Sequence, residues 1–125
     1  MIPYASYKLV HLFGIILTFV MLGAITLHAA TGAAKSTNPL RRSVTALHGV
    51  GAFLILLGGF GMLARLGVMH SSGFPGWLWV KIGVWVVVAA LVILPYRKPS
   101  LARPLLFVLP LLGVLAAYMA IYKPL

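Results

Sequence analysis

The 125-residue sequence contains no aspartate, no glutamate and no cysteine, although it contains ten Lys and Arg residues and four His. Without a side-chain carboxylate, the chain has no acidic general base, no Ca²⁺ or Mg²⁺ site built on carboxylates, and no acid to orient a catalytic histidine. Without cysteine, it has no disulfide, no thiolate nucleophile and no thiolate metal ligand. Any buried cation therefore needs an anion from another source, such as lipid phosphate, a partner subunit or an anionic ligand.

The composition is that of a polytopic membrane protein. Apolar residues make up 62% of the chain, charged residues make up 8%, and the mean hydropathy is +1.10. A typical soluble domain is about 45–50% apolar and about 25% charged. The cations are scattered between apolar runs and form no stripe. The net charge of +10 therefore indicates anchoring to anionic lipid headgroups rather than nucleic-acid binding.

Four apolar segments are each long enough to cross a hydrocarbon core, which takes about 20 helical residues. Since a spanning segment must satisfy its own backbone hydrogen bonds, these segments are predicted to be helices. The expected fold is an all-α integral membrane four-helix bundle with up-down-up-down topology, forming a single domain. The predicted helices cover residues 4–30, 40–67, 75–95 and 101–122.

The basic residues of the connections predict the orientation. Six cations lie in the first and third connections: Lys35, Arg41, Arg42, Arg97, Lys98 and Arg103. Four lie towards the opposite side: Lys8, Arg65, Lys81 and Lys123. Because cytoplasmic connections carry the excess of Lys and Arg, both chain ends are expected on the non-cytoplasmic side of a bacterial inner membrane.

Two helices carry polar and small residues at spacings of three and four, which places them on one face of a packed helix. The first helix has His11, Gly14, Thr18, Met21, Ile25 and His28; the second has His48, Gly51, Ile55, Gly58, Met62 and Arg65. Small residues allow membrane helices to approach closely. The pattern is thus explained by tight packing or by room for a flat ligand.

A rise of about 1.5 Å per residue sorts the polar side chains by depth into two clusters. The inner cluster is expected to contain His28, His48, Lys35, Arg41 and Arg42. The outer cluster is expected to contain His11, Lys81, Arg65 and Lys8, with His70 in the adjoining loop. Each histidine also has a simpler explanation as an interfacial or helix-to-helix hydrogen-bonding residue. Lys81 could instead extend to the headgroups.

Haem suits these histidines and basic residues better than zinc does. Imidazole is a good axial ligand for haem iron, and the haem propionates would supply anions for Lys and Arg. A zinc site built from histidine alone needs three or four of them together, whereas the depths separate them two and two. The predicted cofactor-binding residues are His11, His28, His48, Arg65 and Lys81, with His11 and His48 as the metal ligands of a b-type haem.

Two short motifs carry a family resemblance: YKLVHLFG from Tyr7 to Gly14, and PGWLWVKI from Pro75 to Ile82. They resemble a group of small bacterial membrane proteins that includes the HemJ-type protoporphyrinogen oxidases, the SirB-type proteins and the CopD-type copper-resistance proteins. The resemblance implies a haem-ligand role for His11 and a supporting role for Lys81. The chain lacks the acidic residues of the HemJ type, so what the resemblance implies is a four-helix scaffold with a link to haem or porphyrin.

Three functions remain open from the sequence. The first is a small b-type haem protein that carries electrons or porphyrin. The second is a non-catalytic small subunit or assembly partner of a larger membrane complex of the respiratory type, in which a partner supplies the missing carboxylates. A homo-oligomer is the other assembly that the sequence leaves open. The third is a porter or metal-handling protein, which is disfavoured because no intramembrane carboxylate can relay protons or bind cations.

Overall fold

The computed structural model describes residues 2–67 and 73–125, and these fold as helices joined by short turns, with no strand. The helices are α1 (Tyr4–Ala30), α2 (Arg41–Leu66), α3 (Gly76–Ala90), α4 (Leu94–Arg97) and α5 (Ala102–Tyr122). They make up four spans that are long and apolar enough to cross a membrane: Tyr4–Ala30, Arg41–Leu66, Gly76–Arg97 and Pro99–Tyr122. This confirms the predicted class, a multi-pass, all-α protein.

The third span is continuous past the predicted boundary at Pro95. A 3₁₀ turn at Leu91–Ile93 links α3 to α4, and Pro95 lies in the first turn of α4. Proline has no N–H and its ring collides with the carbonyl four residues earlier, so the chain tightens ahead of it instead of continuing as a regular α-helix. The span therefore ends at Arg97, which brings Tyr96 to the end of the bundle.

Successive spans run antiparallel. Gly58 of α2 lies against His11 of α1, whereas Gly51 lies against Thr18, so residue numbers rise along one helix as they fall along the other. In the same way, His48 is hydrogen-bonded to Val88 and Trp85 to Ala52 across α2 and α3. The membrane side that the chain ends face stays a prediction.

The contact between α1 and α2 is a backbone-to-backbone contact made possible by glycine. A Cβ added at Gly14 would lie 2.7 Å from the Ile55 nitrogen, and one at Gly58 would lie 2.5 Å from the His11 nitrogen. Neither distance is compatible with a side chain, so the two helices are as close as their backbones permit. Van der Waals packing of this kind is a main source of helix association in lipid.

Apolar side chains hold the other helices. Where α1, α3 and α5 meet, a buried cluster forms from Leu22, Val84, Val88, Leu105 and Leu109. On α1, the buried residue of the middle turn is Leu22, which is 0% exposed, and the predicted stripe residue Met21 is only half-buried. The face therefore follows a true helical period, which drifts by about 20° per heptad from a strict seven-residue repeat.

Replacing Gly58 by alanine should destabilise the protein, because the new methyl group would meet the backbone of α1 at Tyr7 and His11. Overpacking of this kind costs typically about 1–3 kcal/mol. The measurement is the unfolding free energy in detergent, followed by circular dichroism.

The matched control is Gly83→Ala in α3, where an added Cβ meets nothing within 4 Å. Alanine is about 1 kcal/mol better than glycine in a helix, so this variant should be neutral or slightly stabilised. Equal destabilisation of both variants would contradict the tight α1–α2 contact.

Candidate functional site

At the end of the bundle where α1 begins and α5 ends, a group of basic and aromatic side chains comes together, here called the chain-end cluster. It consists of His11, Lys81, Lys123 and Trp77. Lys81 is close enough to His11 and to Lys123 for their charges to interact. The Lys123 Nζ lies 5.4 Å from the centre of the Trp77 ring, which is a cation–π contact. Three helices thus contribute to one strongly basic region.

His11 is held in a defined orientation by the α1–α2 contact. Its Nδ1 lies 2.8 Å from the carbonyl oxygen of Ile55, and the residue is 9% exposed. A carbonyl can only accept, so Nδ1 carries the proton and donates, which leaves the lone pair of the neutral ring on Nε2. Gly59 provides room for the ring, since a Cβ there would come within 3.3 Å of Cε1 of His11. This hydrogen bond is also the usual way in which proteins orient an imidazole that binds a metal.

Lys81 is a cation inside a membrane-length helix. It is half-buried and lies five residues after Gly76, the first residue of α3. Among the described residues it has no hydrogen bond or ion pair, and its recorded charge neighbours are themselves basic. Ionisable groups at such positions usually mark a functional site and usually have a partner. No acidic side chain exists in the sequence to serve as that partner.

Two other residues assigned to the outer cluster lie at the surface of the described chain. Lys8 and Arg65 are both exposed, and Arg65 lies in the last turn of α2. His70 lies outside the described residues. Of the predicted outer cluster, His11 and Lys81 are the pair that the structure places near each other, and Lys123 lies near Lys81 at the end of α5.

At the other end of the bundle, His28 belongs to a hydrogen-bonded network with Tyr96 and Asn38. The Tyr96 hydroxyl lies 2.7 Å from Nδ1 of His28 and 3.1 Å from Nδ2 of Asn38. Oδ1 of Asn38 accepts from the Leu40 N–H at 3.0 Å, which fixes the orientation of the amide. Asn38 therefore donates to the Tyr96 oxygen, and Tyr96 in turn donates to His28. Through these hydrogen bonds His28 of α1 is linked to Tyr96 of α4 and, through Tyr96, to Asn38 of the first connection.

His48 takes part in a second set of contacts, between α2 and α3. Its Nε2 donates to the Val88 carbonyl at 3.2 Å, and the residue is 3% exposed. Nearby, the indole Nε1 of Trp85 donates to the Ala52 carbonyl at 2.9 Å. The two bonds run in opposite directions, one from each helix. His48 and His28 therefore serve separate networks, although the sequence predicted them to lie in one cluster.

The two predicted metal ligands do not converge. His48 lies seven residues before Ile55, the partner of His11, so the two histidines are offset by about 10 Å along α2. Two nitrogens on opposite sides of one metal ion are only about 4 Å apart, at about 2 Å each. A single iron bound by both histidines does not fit this arrangement. Within residues 2–67 and 73–125, no three His, Cys, Asp or Glu side chains could hold a metal together.

Sequence reasoning missed four residues of these sites: Asn38, Trp85, Tyr96 and Lys123. Asn38 and Tyr96 each lie beside a proline, and nothing in their spacing connects positions 38 and 96. Trp85 lies within an apolar run, where no local pattern indicates an interhelix hydrogen bond. These contacts depend on how the helices pack, and only the location of the turns at one end of the bundle could have suggested the first two.

The fold and its polar sites define a small, multi-pass helical protein with a basic chain-end cluster. Comparisons with protein-family models, with curated protein sequences and with solved structures gave no match.

Replacing Tyr96 by phenylalanine should destabilise the protein while leaving the helices intact. The change removes the one hydroxyl that serves both His28 and Asn38, and each lost bond costs roughly 0.5–1.5 kcal/mol. The measurement is the unfolding free energy in detergent. Tyr118→Phe is the matched control, since the recorded contact of Tyr118 is with the Tyr122 ring. A loss as large in the control would argue against the network.

Proposed function

We propose that this protein binds b-type haem through His11 at the chain-end cluster and works as a small electron carrier or haem-handling protein of a bacterial inner membrane. The observation that carries the proposal is the hydrogen bond from His11 Nδ1 to the Ile55 carbonyl. It leaves Nε2 as the nitrogen with the lone pair, close to a lysine that has no acidic side chain in this sequence to pair with. The resemblance to the HemJ-type group points to the same two residues.

These residues fit a haem with one histidine ligand, and they do not fit a haem with two. A single histidine ligand agrees with the orientation of His11, whose ring packs against Gly59. Ligation by His11 and His48 together does not fit, because of their offset along α2. Haem, when bound, would supply one-electron redox chemistry or act as the cargo. His11 would bind the iron, and Lys81 and Lys123 would pair with propionates.

The hydrogen bond to Ile55 has a further consequence for this role. Because the acceptor is a backbone carbonyl inside α2, the imidazole cannot rotate without breaking a bond in a low-dielectric setting, which is costly. The α1–α2 contact would therefore determine the orientation of the ligand ring.

We also propose that both chain ends face the non-cytoplasmic side. This can be tested by labelling a cysteine introduced at Ser100 from each side of the membrane.

Absorbance spectra of the protein purified from haem-replete cells test the proposal. The wild-type protein should show a Soret band that shifts on reduction, and His11→Ala should lose it. His48→Ala should retain the band, since that histidine has its Nε2 on the Val88 carbonyl. Lys81→Gln should keep the band and bind haem more weakly, because one charge-assisted contact to a propionate is lost.

A colourless wild-type preparation from such cells would refute haem binding. Loss of the band in His48→Ala together with its retention in His11→Ala would move the site away from the chain-end cluster. Circular dichroism of each variant separates loss of ligand from loss of fold.

A second function is favoured by the same lysine. A half-buried cation that has no acidic side chain in this sequence to pair with could be neutralised by a carboxylate of another subunit. The protein would then be a small non-catalytic subunit or assembly partner of a larger membrane complex. Native purification in mild detergent should in that case recover a larger assembly, which Lys81→Gln weakens. A chain that always migrates alone would speak against this function.

A further inference from the structure

Two adjoining cavities lie along α2, and the first lies at the opposite end of the bundle from the chain-end cluster. The first is a basic pocket of about 430 Å³ at the start of α2, lined by Lys35, Arg41, Arg42, Thr45 and Ala46. The second is an apolar groove of about 470 Å³ between α2 and α3. Thr45 lines both cavities, so the basic pocket and the groove adjoin each other.

The groove exists because α2 and α3 touch sparsely. Their specific polar links are the bonds from His48 to Val88 and from Trp85 to Ala52. Small residues line the wall on the α2 side: Gly49 has open space around it, with nothing within 4 Å of an added Cβ, and Ala52 follows one turn later. Aromatic and aliphatic side chains complete the lining: Phe53, Leu56, Trp85 and Val92. An unfilled apolar cleft of this size inside a bilayer would be occupied by acyl chains.

The dimensions match one leaflet of a bilayer. On α2 the groove lining runs from Thr45 to Leu56, which is twelve residues or about 16 Å of helix from the first to the last. Half of a hydrocarbon core is about 15 Å thick. The basic pocket lies just beyond the polar end of this stretch, where the headgroup of a lipid in the groove would be.

The positive charges that line the basic pocket also favour the binding of an anion. Arg41 donates Nη1–H to the Asn38 carbonyl at 3.2 Å, which holds its guanidinium at the rim. Lys35 and Arg42 have no recorded side-chain hydrogen bond within the described residues, and the sequence offers no carboxylate side chain to any of the three. Three cations on one small cavity attract phosphate, and basic pockets at the headgroup level of membrane helices are known lipid sites.

We propose that the basic pocket and the groove together form one binding site for an anionic phospholipid. Its phosphate is held by Lys35, Arg41 and Arg42, and one acyl chain lies along the groove between α2 and α3. The lipid completes the sparse α2–α3 contact and stabilises the position of α3. This site does not depend on haem binding, because it uses neither His11 nor Lys81.

The test is lipid retention measured by mass spectrometry on the detergent-purified protein. It is combined with a titration of delipidated protein with phosphatidylglycerol and with phosphatidylcholine, followed by thermal stability. The wild type should retain about one anionic lipid per chain and be stabilised by phosphatidylglycerol only. Each cation near anionic lipid is worth about fivefold in affinity, so the triple variant Lys35→Gln, Arg41→Gln, Arg42→Gln should bind on the order of a hundredfold more weakly.

The charge control removes three exposed cations from the other connection at this end of the bundle: Arg97→Gln, Lys98→Gln and Arg103→Gln. It has the same net charge as the pocket variant, so it should retain the lipid. Equal loss in both triple variants would show that the cations attract lipid without forming a site, and would overturn the proposal.

The groove is tested separately by Gly49→Leu, which fills the space for the acyl chain without meeting other atoms at Cβ. Gly83→Leu, at an equally open position on α3 outside the groove, is its control. Gly49→Leu should lose the bound lipid while the control keeps it. If Gly49→Leu retains the lipid, the acyl chain is not in the groove and the proposal fails. If the pocket variants lose haem while the lipid is unchanged, the cavity is a haem site instead.

Discussion

The close approach of α1 and α2 is the constraint on which the rest of this structure depends. At Gly14, Gly51 and Gly58 the two backbones leave no room for a side chain. In lipid, where apolar side chains gain little by leaving their surroundings, such close packing is a principal source of helix association. The contact also buries His11 and brings its Nδ1 to the Ile55 carbonyl. A packing feature and the candidate ligand are therefore parts of one interface.

The side-chain hydrogen bonds between helices in the interior are of one kind. His11, His48 and Trp85 each donate from a ring nitrogen to a backbone carbonyl of a neighbouring helix. In a chain without acidic side chains, carbonyl oxygens are the acceptors that every helix provides. Thr18 is the exception, since its hydroxyl has no hydrogen-bond partner among the described residues and is pressed against Gly51. Burying that hydroxyl without a bond costs energy, which the close packing around it must offset.

The missing acids have different consequences at the two ends of the bundle. At the chain-end cluster, Lys81 and Lys123 adjoin a histidine with a free lone pair, a setting that suits an anionic ligand with a metal. At the other end, Lys35, Arg41 and Arg42 surround a pocket that adjoins an apolar groove, a setting that suits a lipid. Both proposals follow from the same electrostatic requirement, and the neighbouring residues decide which anion each end prefers.

The sequence alone determined the class of the fold and the approximate helix bounds, because span length and apolar content are local properties and the bilayer requires helices. It also placed His11, Gly14 and Thr18 on one face of the first helix and Gly51 and Gly58 on one face of the second, since helical spacing is local too. It could not decide which histidines meet. Whether His48 faces His28 or Val88 depends on the rotation and separation of whole helices, and these are set by glycine contacts and by the tightened turn before Pro95. The network of His28, Tyr96 and Asn38 and the groove between α2 and α3 were therefore decided only by tertiary structure. Each depends on residues far apart in the chain, whose distances no local pattern encodes.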